Sequence, residues 1–275
     1  MKRIKIYHPL LAVLAIGSLS MTSCQKEQNI PDSTMENLPD SVIIYNYSPS
    51  SQVEKLYAKT IYCYDTKGNV IRQTESIINE EDHLYIPNIK VESSYDAHNC
   101  KVGQQEWTYI EDIDDWEERT YITFSYDAQN KLTTRVDYSP LTDGSRDSLY
   151  CTNISWIDAK QSWSYQQSRT SNGQWERSFK WNTIYNNSLL PDKEIVYMYH
   201  PSDSTWKKVY TNEYFYDHYG NMTLHYMKYD EVITNGESYQ YTYDDKGRII
   251  LSIRSLLGEN GVESEEHRIK YVYYY

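Results

Sequence analysis

Aromatic and small polar residues alternate along much of the chain, the period-two pattern of a half-buried strand. The alternation is clearest just upstream of a recurring aromatic residue. Two positions before it stand Phe124, Ile154, Tyr214, Tyr241 and Tyr271, and four before it Val91, Ile122, Trp181, Tyr239 and Ile269. The positions between hold Ser94, Ser125, Ser155, Thr242, Glu92, Thr123, Asn153, Asn182, Glu213, Gln240 and Lys270. One face of each predicted strand is aromatic and the other small, polar or charged.

The recurring aromatic is Tyr64, Tyr95, Tyr126, Trp156, Tyr185, Tyr216, Tyr243 and Tyr273, at intervals of 31, 31, 30, 29, 31, 27 and 30 residues. So regular a spacing marks a repeat protein. In five copies the aromatic is followed by Asp and, three residues later, by Gly or Asn: Asp65/Gly68, Asp96/Asn99, Asp127/Asn130, Asp217/Gly220 and Asp244/Gly247. An Asp opening a turn accepts hydrogen bonds from backbone amides two residues on. Gly or Asn tolerates the left-handed conformation that follows a type I turn in a hairpin. The repeated Asp is therefore read as a hairpin cap, in preference to a catalytic acid or calcium ligand. Two degenerate copies, Trp156-Ile157-Asp158 and Tyr185-Asn186-Asn187, fill the gap.

Each unit is one strand into a tight turn, one strand out, and a longer turn to the next. Residues 41–275 thus form an all-β antiparallel meander of about 15 strands built from hairpin repeats of about 30 residues. An unburied aromatic face would be a large exposed patch, so the sheet is expected to be strongly curved or closed on that face, with a two-layer β-sandwich as the alternative. The polar face has no apolar band, which argues against a membrane-spanning barrel. Ten residues before the key aromatic stand Tyr85, Trp116, Trp175 and Trp206. Ten is even, so strict alternation assigns these rings to the key-aromatic face and hence to the core.

The N-terminus changes the picture. Lys2, Arg3 and Lys5 precede a short apolar stretch, Leu10 to Ile16, of signal-peptide length rather than membrane-spanning length. Small and polar residues lead to Cys24. Residues 1–23 resemble a bacterial lipoprotein signal of the Bacteroidota type, which implies acylation of Cys24. Met21 and Thr22 stand where the commonest lipobox has Leu and Ala or Ser. Residues 24–40 read as the lipidated Cys and a flexible tether. Gln25-Lys26-Glu27-Gln28 resembles the tag that directs some such lipoproteins to the outer face of the outer membrane. The acyl group would be the sole membrane anchor, and surface exposure follows from the tag.

Loss of Lys2, Arg3 and Lys5 with the signal moves the formal charge from −12 to −15. That balance excludes nucleic acid as a partner, since phosphate binding needs basic residues. Thirty Tyr against 3 Phe indicate a wet or hydrogen-bonded core. Beyond Cys24, Cys63, Cys100 and Cys151 form an odd set, and Cys63 and Cys100 lie three strands apart, about 14 Å. A disulfide needs Cα atoms within about 7 Å, so all three are expected to stay unpaired.

Tyr62 to Val70, Tyr214 to Met222 and Tyr241 to Ile249 resemble the YD repeat of RHS-type and wall-associated bacterial surface proteins, Tyr-x-Tyr-Asp-x-x-Gly-Asn/Arg-Leu/Ile. The resemblance covers about residues 43–275 and is poor between about 150 and 200. It implies an extended β-sheet shell; larger members enclose toxin domains or bind carbohydrate at cell surfaces. This chain is too short for a large cocoon and carries no toxin or protease segment. It looks more like the small YD-containing lipoproteins of Bacteroidota, for which no activity follows.

No Walker loop, dinucleotide turn, HExxH or GxSxG occurs. His83, His98, His200, His218, His225 and His267 are dispersed, so neither metal nor cofactor is expected. The acids Glu80-Glu81-Asp82, Glu111-Asp112 and Asp114-Asp115 read as solvated loops. Trp107, Trp116, Trp163, Trp175 and Trp206 are candidates for stacking on sugar rings, although the register reading favours the core for them. Two functions remain: a non-catalytic binding or structural module of the envelope, with a glycan or protein as its ligand, or a surface polysaccharide hydrolase with paired carboxylates in a cleft.

Overall fold

A computed structural model describes residues 38–48, 53–79, 83–261 and 263–274. The signal segment, Cys24 and most of the tether lie outside the described residues. Sixteen strands follow one another: β1 Ser41–Ser48, β2 Val53–Tyr64, β3 Val70–Ile78, β4 Tyr85–Tyr95, β5 Lys101–Ile110, β6 Asp115–Tyr126, β7 Leu132–Pro140 and β8 Arg146–Trp156, then β9 Gln161–Arg169, β10 Trp175–Tyr185, β11 Pro191–His200, β12 Thr205–Tyr216, β13 Met222–Tyr229, β14 Val232–Tyr243, β15 Ile249–Leu257 and β16 Glu263–Tyr274. Every strand pairs antiparallel with its sequence neighbours, and β1 pairs with β16 to close the sheet into a barrel. At the closure Val42 faces Tyr273 and Ile44 faces Tyr271. The closed meander is the architecture expected from the repeat, and the sandwich alternative is not adopted.

The key aromatics end the even-numbered strands, and the tight turns follow at one rim. There Asp65 Oδ1 accepts the amides of Lys67 and Asn69 at 2.8 and 2.9 Å. Asp96, Asp127, Asp217 and Asp244 do the same for the amides two and four residues on. Gly68, Asn99, Asn130, Gly220 and Gly247 have φ of 84°, 65°, 60°, 84° and 76°. β1 starts at this same rim, because Ser41 lies opposite Ile61 near the end of β2.

The polar tips of the key aromatics stitch neighbouring units together. Tyr95, Tyr126, Tyr216 and Tyr273 donate their hydroxyls to the carbonyls of Val70, Lys101, Pro191 and Ile249 at 3.1, 2.7, 2.7 and 2.7 Å. Trp156 donates its indole N–H to Leu132 at 2.9 Å in the same arrangement. In each case the acceptor is the first residue of the strand preceding the ring's own. Tyr is therefore favoured over Phe because its hydroxyl satisfies a backbone acceptor.

A second feature recurs inside the even-numbered strands. Pairing skips one residue at Tyr57, Asn88, Arg119, Leu149, Ser178, Val209, Thr234 and Ser264. Six of these β-bulges lie seven residues before the key aromatic, and the last two nine before. A bulge shifts the alternation by one, so residues upstream of it change face. This corrects the assignment of Tyr85, Trp116, Trp175 and Trp206. Glu106 and Thr120 pair on the key-aromatic face, whereas Trp107 faces Glu118 and Tyr109 faces Trp116 on the other. Likewise Val196 pairs with Tyr210 on the key face, but Tyr197 with Lys208 and Tyr199 with Trp206 on the opposite one.

Burial leans to the key face without being confined to it. Val42, Ile44, Ala58, Ile122, Ile154, Tyr185, Val196 and Tyr214 of the key face are buried, and Ile61 and Phe215 of the opposite face are 46% and 44% exposed. Leu257 and Thr211 of the opposite face are also buried, however, and Tyr150 and Met198 of the key face are exposed. The largest fully buried side chains are Val196, Thr60, Cys100 and Ser162, so no aromatic is wholly enclosed among the described residues. Sixteen strands at 4.7–4.9 Å give a circumference of about 75 Å, wider than side chains alone fill. Most tyrosines are accordingly half-buried. Cys63 and Cys151 are free thiols, but Cys100 is disulfide-bonded, a correction to the expectation of three unpaired cysteines. Its partner lies outside the described residues; the spacing argument covered only pairs within the barrel.

Candidate functional site

The five tryptophans singled out from sequence, Trp107, Trp116, Trp163, Trp175 and Trp206, all lie on the face opposite the key aromatics. The other two, Trp156 and Trp181, lie on the key face. The bulges thus sort the indoles into two populations. On β9–β12 they build a cluster. The Lys180 ammonium sits 4.8 Å from the ring centres of Trp163 and Tyr197 and 5.3 Å from that of Trp206. Trp163 packs against Tyr197 at 5.9 Å, and Trp206 against Tyr199 at 5.1 Å and Tyr165 at 6.4 Å. The Arg177 guanidinium covers Tyr199 at 5.6 Å. Tyr165 and Trp175 are each 39% exposed, so the cluster opens to solvent.

A smaller copy stands on β4–β6. Lys90 lies 4.1 Å from the Trp107 ring centre and 5.1 Å from that of Trp116, which also meets Tyr109 edge-on at 5.5 Å. Nearby, Arg146 covers Tyr121 at 4.0 Å while bonding Glu118 at 2.6 Å. Cations over aromatic faces gain about 0.5–2 kcal/mol each, more where water is excluded. The sequence reading missed Lys90 and Lys180 as hubs, because a lysine on a polar face carries no signal until its cross-strand neighbours are known.

The key face carries a different chemistry. Tyr214 donates to Glu194 Oε2 at 2.7 Å, and its ring stacks on His225 at 4.9 Å. Burial and the Glu194 charge hold the Tyr214 phenol far above its ordinary range. Burial pushes His225 below 6.5 despite the opposing pull of Glu237, which bonds Arg254 and Tyr239. Glu194 and Glu237 stand on β11 and β14, three strand spacings or about 14 Å apart. Glycosidases use carboxylates about 5–9.5 Å apart, so this pair does not have a hydrolytic spacing.

At the tight-turn rim a pocket of about 370 Å³ opens between the turns at 186–190 and 217–221, walled in part by Asp192, Tyr216, Asp217 and His218. Asp217 is engaged as the turn cap. Among the described residues no group of three His, Cys, Asp or Glu side chains could hold a metal ion. No helix among them is long and apolar enough to cross a membrane.

No family model matches the chain, and no curated protein matches it. Solved structures give distant likenesses. A porin-like protein from Bacteroides uniformis is 10% identical over 86% of this chain and 97% of its own, with a TM-score of 0.40. A protein of unknown function from Bacteroides fragilis is 12% identical over 55% of this chain and 89% of its own, with a TM-score of 0.28. TcdB2-TccC3 is 14% identical over 86% of this chain but 14% of its own length, with a TM-score of 0.31. Likenesses this distant carry no functional conclusion.

Proposed function

We propose that this chain is a lipid-anchored module of the cell envelope that binds glycan without catalysis, through the aromatic face left open by the bulges. The observation that carries the reading is the sorting of the tryptophans. Five indoles stand away from the key face: Trp175 is 39% exposed, the other four are partly exposed, and those four lie beside Lys90 or Lys180. Flat aromatic rings with polar neighbours suit the apolar faces and hydroxyl edges of sugars. The resemblance to YD-repeat surface proteins agrees with that role.

Anchoring at Cys24 supports the same reading. The tether would enter the barrel at the tight-turn rim, where β1 starts. Trp175, Tyr199 and Trp206 lie toward the opposite rim, at the start of β10, the end of β11 and the start of β12, and would face away from the membrane. Both barrel faces carry charge in mid-strand: Glu75, Arg135, Asp137 and Glu237 on one, Lys180, Lys193, Glu213 and Lys228 on the other. A lipid-facing surface would need an apolar band about 25 Å tall, so the barrel is read as water-facing.

The test is a glycan array probed with the mature protein, alongside Trp163→Ala and Trp206→Ala. Binding to a restricted set of glycans, weakened in both variants, is expected. A blank array, or binding unchanged in both, would overturn the reading. Release of reducing ends from a bound glycan would favour the hydrolase alternative.

A further inference from the structure

We propose that the β9–β12 cluster is a subsite for acidic polysaccharide, with Lys180 and Arg177 pairing with sugar carboxylates while Trp163, Tyr165 and Trp206 pack against the rings. This rests on the glycan-binding reading and adds the class of ligand. In the cross-strand register Tyr165 lies opposite Lys180, Lys180 opposite Tyr197, and Tyr197 opposite Lys208. The row therefore alternates ring, cation, ring, cation across four strands, about 14 Å at normal strand spacing. Stacking alone would require the rings; it would not require a cation beside each.

Charge makes the arrangement specific. The chain carries a formal charge of −12, yet Lys180 and Arg177 form no ion pair among the described residues. Lys180 is held instead by three aromatic rings. Several acids on neighbouring strands and turns are engaged with other cations, Asp147 with Arg169, Asp203 with Lys207, Glu213 with Lys193 and Lys228, and Glu231 with Lys208, while Glu176, next to Arg177, lies on the key face. A half-buried ammonium without a carboxylate partner, in a protein rich in carboxylates, is a prepared seat for an anion from outside. An aromatic wall also excludes water from the ion pair, which strengthens it.

Two forms of one polymer separate charge from stacking: polygalacturonate and its fully methyl-esterified, neutral counterpart. Binding of the full chain to each is measured by isothermal titration at low and at physiological salt. Wild type is expected to bind polygalacturonate at least tenfold more tightly, with the preference shrinking as salt rises. Lys180→Gln and Arg177→Gln should each weaken polygalacturonate binding by about tenfold and leave the ester unchanged. Trp206→Ala should weaken both, and thermal melting checks that each variant is folded. Equal binding of the two polymers, with Lys180→Gln silent, would overturn the acidic-ligand inference and leave the glycan reading standing. Binding to neither polymer would also overturn the inference, and the array then decides separately whether the glycan reading falls with it.

Discussion

Tyr126→Phe removes a single hydroxyl and leaves the ring in place. That hydroxyl donates to the Lys101 carbonyl at 2.7 Å, tying the end of β6 to the start of β5. Burial, with Asp96 and Tyr95 nearby, pushes the phenol up to about 12, so it remains a protonated donor at any ordinary pH. A neutral hydrogen bond of this kind contributes about 0.5–1.5 kcal/mol net. Larger domains lose about 2–4 °C in melting temperature per kcal/mol, so the expected drop is a few degrees. Tyr126→Ala also removes a half-buried ring and should cost roughly 2–4 kcal/mol, below the 3–5 of a fully buried Phe. Ser125→Ala, on the opposite face, should stay within about 0.5 kcal/mol. Thermal unfolding followed by near-ultraviolet circular dichroism resolves the series. A Tyr126→Phe variant that melts at or above wild type would refute the claim that the tyrosine hydroxyls stitch the units together.

Gly247→Val places a β-branched residue at a φ of 76°, where a Cβ would also approach the Tyr219 ring at 3.2 Å; a loss of about 1–3 kcal/mol is expected in the same melt. Glu75 is 4% exposed, and its Oε2 has no hydrogen-bond partner. Burial raises its carboxyl above 4.5, against the opposing Asn88 bond. A carboxyl raised on folding favours the folded state below its unfolded pKa and loses that contribution as pH rises through the folded one. Glu75→Gln should therefore match wild type below about pH 4 and become the more stable protein as pH rises toward neutral; identical pH–stability curves would refute this. Cys24→Ala should abolish membrane association, and unchanged fractionation would end the lipoprotein proposal. The intact mass of the mature protein shows directly whether Cys24 is acylated.

The interval from Tyr64 to Tyr273 made the hairpin repeat and its closure legible, because a turn every 30 residues or so leaves Asp and Gly where the backbone needs them. The face of the tryptophans was not legible. The bulged residues are as different as Tyr57, Asn88, Arg119, Ser178 and Val209, so the extra residue follows from pairing and not from a residue type. Counting ten positions back from Tyr126 or Tyr216 then put Trp116 and Trp206 on the wrong face. What the sequence hid was Lys180, which joins Trp163, Tyr197 and Trp206 only once β9 to β12 are side by side.

The most direct test of a glycan-binding face distinct from the core is a matched pair of variants, Trp206→Ala and Tyr126→Ala, each measured for both thermal melting and binding on the glycan array. The account predicts a small loss of stability and a large loss of binding for Trp206→Ala. It predicts the reverse emphasis for Tyr126→Ala, a large drop in melting temperature with binding retained wherever the protein is folded. A Trp206→Ala variant that collapses thermally, or that binds as wild type does, would contradict it.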